Sequence, residues 1–554
     1  MTQRSLLCAL AATALFAVGS SAPALAQLPP PPAPPQNPVT AEKAVLGKML
    51  FWDEQLSSDN TVACGTCHIN SSGGADPRTG TLASRHPGPD GIAGNADDIF
   101  GTIGVMDADE NDNFDRNAIF GFDPQVTGRQ APSHIGAAYF DELFWDGRAD
   151  TTFVNPQTGQ VSIPAGGALE SQAIGPPLSD VEMAHEARDW DMITSKLTTA
   201  PPLKLASNLT PDIVSALNLN PTYPELFEEA FGDPAITAER IAFAIATYER
   251  TLVPDQTPFD LGTLTPGQQQ GLNVFNASNC ALCHTPPLFS DGTFRNIGVR
   301  PPAEDLGRQE VTGNNGDRGR FKVPSLRNVG LRERFFHNAN LPGAMGAPPN
   351  TLNAVVAFYN RGGDFPDNRD PLMNTTNVPG MAAPALVDFL ANGLTDPRVA
   401  NETFPFDRPS LHSENATPNP RIFGAGVAGT GGITPAVLAL SPPSVDTEGF
   451  RIGIASGLGA SVAHLVLYPN SAGPVGRPTS QNGDPVNLRA TIAYRLGTVV
   501  LEGRGAGNGF GTLHVDPGSL PLSVFPEATL QWIVIDPAAP GGIARSELVE
   551  LTMF

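Results

Sequence analysis

The sequence predicts a mainly α-helical chain of two helical domains, followed by an all-β, sandwich-like C-terminal domain. Three observations predict it. A Cys-x-x-Cys-His motif occurs twice, at Cys64-Gly65-Thr66-Cys67-His68 and at Cys280-Ala281-Leu282-Cys283-His284, too far apart for one small domain. Each copy follows a segment with apolar residues at helical spacing, Ala41 to Phe51 and Thr265 to Phe275. Beyond Ile422 the pattern changes to short alternating runs divided by Gly and Pro.

In chain order, residues 1–26 have the form of an export signal: Arg4, an apolar run from Leu6 to Val18, and Ala24-Leu25-Ala26 as the small-residue cleavage site. The run is too short to span a membrane, so a periplasmic or secreted protein without a membrane span is expected. Residues 27–39 form a Pro-rich linker, read as a semi-rigid spacer without a core. The first helical domain is expected over 40–235, the second over 236–421 and the β module over 422–554. The stretch from Ser71 to Asp115 is rich in Gly, Asp and Asn. Its Asp90–Asp98 segment could offer oxygens to calcium but lacks the EF-hand spacing, and reads as a solvated acidic loop. Helices are expected at Leu169–Glu186, Asp191–Leu197 and Thr210–Leu217. Ile236–Leu252 is strongly amphipathic, with Thr237 as N-cap. Leu352–Tyr359 and Ala385–Leu390 complete the helical set. The β module should hold about seven strands. The runs are Arg451–Ile454, Ala463–Tyr468, Leu488–Tyr494, Thr498–Glu502, Thr529–Ile535 and Leu548–Phe554. His464 and His514 in it lack a second ligand nearby and read as structural.

The formal net charge is −23, which makes nucleic acid and anionic membrane surfaces poor partners. Of five cysteines, four lie in the two motifs and Cys8 lies in the export signal. No mature cysteine is left for a disulfide. Two thiols followed directly by His is the pattern of c-type haem attachment. Cys64 and Cys67, and likewise Cys280 and Cys283, would bond the two vinyl groups of a haem. His68 and His284 would be the proximal iron ligands. A redox Cys-x-x-Cys needs no following His, and a zinc site wants four ligands close in sequence. Both helical domains are therefore expected to be cytochrome c-like haem domains.

Further motifs surround them: Leu46-Gly47-Lys48-Met49-Leu50-Phe51, Ala131-Pro132-Ser133, Phe144-Trp145-Asp146-Gly147-Arg148-Ala149, Gln172-Ala173-Ile174-Gly175-Pro176, Val181-Glu182-Met183, Phe289-Ser290-Asp291-Gly292, the run from Gly319 to Val329, and Phe336-His337. From about residue 40 to 400 the chain resembles the bacterial di-haem cytochrome c peroxidase family, which includes the MauG-type enzymes. The resemblance implies two covalently bound haem c groups. It implies reduction of hydrogen peroxide to water with electrons from a small redox protein, a cytochrome c or a copper protein. The alternative is a MauG-like oxidase acting through high-valent haem on a protein or organic substrate. A plain electron-transfer cytochrome would have no use for Gln172, Pro176 and Glu182. The resemblance further implies that Glu182 moves a proton between the peroxide oxygens, that Gln172 and Pro176 line the distal pocket, and that Trp145 relays electrons between the haems. Family members are often homodimers.

Three departures from the family pattern stand out. Tyr359 falls where classical members place a Met ligand to the second haem, as in the MauG-type enzymes; Met345 is the alternative ligand. The distal His that blocks the first haem in classical members falls near Phe122, which cannot ligate; His134 and His86 are the nearest histidines and read as structural or exposed. The Asn that helps hold an interdomain calcium aligns with Gln130, so a calcium near Gln130 is the third expectation.

Overall fold

The computed structural model describes residues 28–340, 351–416, 419–443, 450–469, 494–516 and 527–552. The export signal, Cys8 and Met345 lie outside the described residues.

The first core is organised by the helix Ala41–Phe51. Thr40 caps it, accepting the Lys43 N–H at 3.3 Å. The helix packs on Ala238–Thr251, which opens at the expected cap Thr237. A Cβ on Gly47 would lie 1.8 Å from the Ala244 carbonyl oxygen, so the two backbones touch and only Gly fits. The second core repeats the device. Pro266–Ala277, capped by Thr265, packs on Ala383–Asp388, and a Cβ on Gly271 would lie 2.1 Å from the Ala385 oxygen. In both halves a glycine crossing thus fixes the helix that delivers the chain to its Cys-x-x-Cys-His motif.

Several expectations change. Leu169–Glu186 is not one helix. The helix covers Ala168–Ala173, a short 3-10 turn follows at Pro176–Leu178, and Glu182 stands in a turn. Gly175-Pro176-Pro177 breaks it, since neither proline can donate to the helix ladder. Tyr223–Phe231 is a helix that apolar spacing missed; its capping box, Thr222 with Glu225, marks it. The Pro-rich stretch is not a free spacer. Leu28 and Asn37 are buried, and the Asn37 amide donates to Glu170 at 2.8 Å.

Among the described residues the C-terminal region contains eight strands: β1 (Arg421–Phe423), β2 (Ala436–Leu438), β3 (Arg451–Gly459), β4 (Val462–Pro469), β5 (Tyr494–Val500), β6 (Gly505–His514), β7 (Glu527–Ile535) and β8 (Ile543–Thr552). They form two antiparallel sheets, ordered β5-β4-β7-β8-β1 and β6-β3-β2. Ile452 and Ile454 of one sheet share a core with Leu465, Leu530 and Trp532 of the other. The Trp532 indole N–H bridges the sheets to the Gly453 oxygen at 3.0 Å. Strand β6 (GAGNGFGTLH) escaped the sequence reading because glycines replace its alternating apolar residues. Most of the expected strand Leu488–Tyr494 lies outside the described residues.

Candidate functional site

Each Cys-x-x-Cys-His motif is a single tight turn. The Ala63 N–H donates to Thr66 Oγ1 at 2.8 Å, and Gly65 leaves room for the Trp52 ring, which a Cβ would meet at 2.2 Å. His68 Nδ1 lies 3.1 Å from the Gly74 oxygen, and His284 Nδ1 lies 3.1 Å from the Phe289 oxygen. A proton on Nδ1 satisfies each carbonyl and leaves Nε2 free as a ligand. Burial pushes both imidazoles below their usual range, into the neutral form that binds metal. Burial pushes the Cys64 thiol up to about 12 and the Cys280 thiol to about 11. A redox-active Cys-x-x-Cys shows the opposite shift.

Both motifs open into one cavity of about 1380 Å³. That exceeds the ~300–1,000 Å³ typical of a single-ligand pocket. Gln172, Pro176 and Glu182 line it with the first motif, Tyr359 lines it with the second, and Trp145 lines it as well. Trp145 is tied to both halves. Its indole N–H donates to the Gln130 oxygen and its carbonyl accepts from the Lys322 N–H, each at 2.8 Å.

Glu182 is anchored through its backbone N–H to Ser179 O at 3.1 Å. Burial holds its carboxyl above the ordinary range, while Arg148 and the Ser179 hydroxyl pull it back. Tyr359 rides on the helix Leu352–Asn360, and burial, helped by the Cys283 and Cys280 thiols, keeps its phenol protonated well above the usual range.

Phe122 is turned away from this cavity. Its ring packs on Phe510 of β6 at 5.3 Å. His86 does line the cavity, with Nδ1 accepting the Gly88 N–H at 3.1 Å. His134 is buried rather than exposed, edge-on to His68 at 5.3 Å.

Gln130 does not fit the expected calcium. Its side-chain oxygen and the Ala131 carbonyl both accept from Arg332 Nη2, at 3.1 and 3.2 Å, and its amide nitrogen donates to Phe336 O. A guanidinium already occupies the Gln130 side-chain oxygen, the one ligand the sequence offered for that cation. Among the described residues no cluster of three or more His, Cys, Asp or Glu is placed to hold a metal ion.

Cavity-lining cations, Arg332 and Lys322 among them, were not singled out in the sequence. Burial alone lowers the Arg332 guanidinium to about 10, and burial brings Lys322 to about 7 despite Glu142 and Asp141. Lys322 lies in the motif from Gly319 to Val329, but a lone cation in a motif gives no sign that it faces a cavity.

A model of the di-haem cytochrome c peroxidase family matches residues 41–264. The methylamine utilization protein MauG of Methylophilus methylotrophus is 30% identical over 339 residues, covering 59% of this chain and 75% of that protein. The chain belongs to the di-haem cytochrome c peroxidase family. Family membership implies haem c cofactors, and the paired motifs on one cavity fit them. Cytochrome c551 peroxidase of Nitrosomonas europaea is 28% identical over 403 residues, 68% of this chain and 97% of that one. Cytochrome c peroxidase Ccp of Escherichia coli is 29% identical over 369 residues, and the match spans 63% of its length.

Proposed function

We propose that the chain is a di-haem c-type peroxidase that reduces hydrogen peroxide to water with electrons from a small redox protein. The carrying observation is the single cavity, which both motifs line together with Gln172, Pro176, Glu182 and Tyr359. Cys64 and Cys67, and Cys280 and Cys283, would hold the two haems covalently, with His68 and His284 beneath the irons. Lys322 and Arg332 would meet the haem carboxylates. Bound there, the haems supply an open iron for peroxide and a second iron that stores or passes an electron.

The protein's own contribution is proton handling and positioning. The Glu182 carboxylate takes the proton from one peroxide oxygen and returns it to the other, the transfer that O–O cleavage requires. Burial raises its pKa above the ordinary carboxylate range, which makes the carboxylate a stronger base for that proton. Gln172 and Pro176 wall the same cavity and limit water there. Trp145, bonded to both halves, spans the ground between the motifs as the electron relay. Tyr359 would close the second iron, giving up its proton to do so. The export signal, a periplasmic or secreted location, cleavage near Ala26, a homodimer and the sandwich-like character of the β region belong to this reading. So does the division into 40–235, 236–421 and 422–554.

Tyr359 also favours a MauG-like oxidase, since a phenolate stabilises oxidised iron. One experiment separates the two. One equivalent of hydrogen peroxide is added to the diferric holoprotein, and reduced cytochrome c follows. Rapid donor oxidation supports the peroxidase. A persistent oxidised spectrum that ignores the donor supports the oxidase, and an unchanged spectrum overturns both.

A further inference from the structure

The β region grips one segment of the first haem domain, residues 106–122. Arg451 on β3 is fully buried, and its guanidinium donates to both the carboxylate and the carbonyl of Asp112. The same guanidinium lies 4.1 Å from the centre of the Phe114 ring. Phe114 is 3% exposed, and its N–H donates to Thr512 Oγ1 on β6 at 2.8 Å. Its ring sits where a Cβ on Gly453 would collide at 2.5 Å. Met106 and Phe114 form one apolar cluster with Leu438 and Ala455. The Phe510 ring packs at a tilt against Phe122, and Arg116 reaches Asn508 at 3.2 Å.

The opposite side of this segment faces the chemistry. Asn117, Ile119 and Phe120 line the cavity. Ala108 O accepts the Glu186 N–H at 3.0 Å, and just before the segment the Val105 N–H donates to Val181 O at 3.2 Å. The turn carrying Glu182 is therefore braced by the strip that the β region holds.

We propose that the C-terminal β region is an intramolecular clamp: Arg451, Phe510 and Thr512 position the 106–122 segment so that Phe122 stays off the cavity and the Glu182 turn stays against it. The peroxide end is thereby held open in the oxidised protein. These are positioning residues, and the inference rests on the peroxidase reading above.

The test uses full-length diferric holoprotein. Phe122→His places a ligating side chain at the clamped position. Phe122→His alone should keep the resting high-spin ferric signal, because Phe510 and its neighbours hold residue 122 away. Phe122→His with Phe510→Ala should shift the first haem to low spin as the histidine swings in. Thr512→Val, a nearly isosteric change, should speed exchange of the Phe114 amide about tenfold. Exchange within the helix Ala238–Thr251 should not move. A low-spin signal in Phe122→His alone, no low-spin signal in the double variant, or unchanged exchange in Thr512→Val would each overturn the clamp. Failure of the wild-type protein to react with peroxide would instead overturn the peroxidase reading, leaving the spin-state and exchange results to decide the clamp by themselves.

Discussion

Replacing Glu182 with Gln is the sharpest probe of the proposed chemistry. The substitution keeps side-chain length and the backbone anchor to Ser179, but it removes the group that takes up and releases a proton. Burial is the largest influence on the carboxyl and raises its pKa, with Arg148 and the Ser179 hydroxyl opposing. A positioned acid–base group contributes about 10²–10⁴ in rate, or about 3–5 kcal/mol of barrier. The peroxide step of Glu182→Gln should slow by that factor with both haems still attached. The pH dependence has a definite sign. The carboxylate is the working base, so the native rate should rise with pH through an inflection above the ordinary carboxylate range, then level off. The variant should lose that inflection. Stopped-flow mixing of diferric protein with peroxide, from about pH 4 to 8, reads both. A variant within threefold of native at every pH, or one that keeps the inflection, would refute the assignment.

Tyr359→Phe removes the phenol oxygen. It should raise the reduction potential of the second haem and change its spectrum, as potentiometric titration would show; no change would point to Met345 or another ligand. Treatment with a chelator should leave the haem spectrum and the thermal midpoint unchanged, because Arg332 engages Gln130 and Ala131. Loss of stoichiometric calcium together with activity would contradict that. Arg327 and Asp260 form a buried pair with contacts of 2.7 Å. Asp260→Ala strands the guanidinium and should cost about 3–5 kcal/mol in denaturant unfolding, and a loss under 1 kcal/mol would show the pair to be incidental.

Much of the helical part was legible because its signals are local. Thr237 caps the helix it was expected to open, and Thr40, Thr265 and Thr351 cap three further helices whose positions were expected. The turn at Glu182 was not legible as a turn. Apolar spacing runs through it, and only the adjacent Pro176-Pro177 argues otherwise. Strand β6 hid behind its glycines, which are there because the Gly457–Gly459 backbone of β3 lies within about 3 Å of where a Cβ on Gly509 would stand. Gln130 was read as a possible calcium ligand, but its side-chain oxygen accepts from Arg332, which lies far along the chain, and nothing local announces that pairing.

By itself the sequence determined which cofactor to expect. Two Cys-x-x-Cys-His motifs, each setting two thiols and an imidazole within five residues, point to haem c wherever the fold places them, and family membership implies the same cofactor. Tertiary structure alone decided how the two sites relate. Joining the motifs in one cavity, raising the Glu182 pKa, putting a guanidinium at the expected calcium and laying β6 across Phe122 all arise from residues distant in sequence. Burial and electrostatic environment are properties of the packed chain, and they make the two sites unequal.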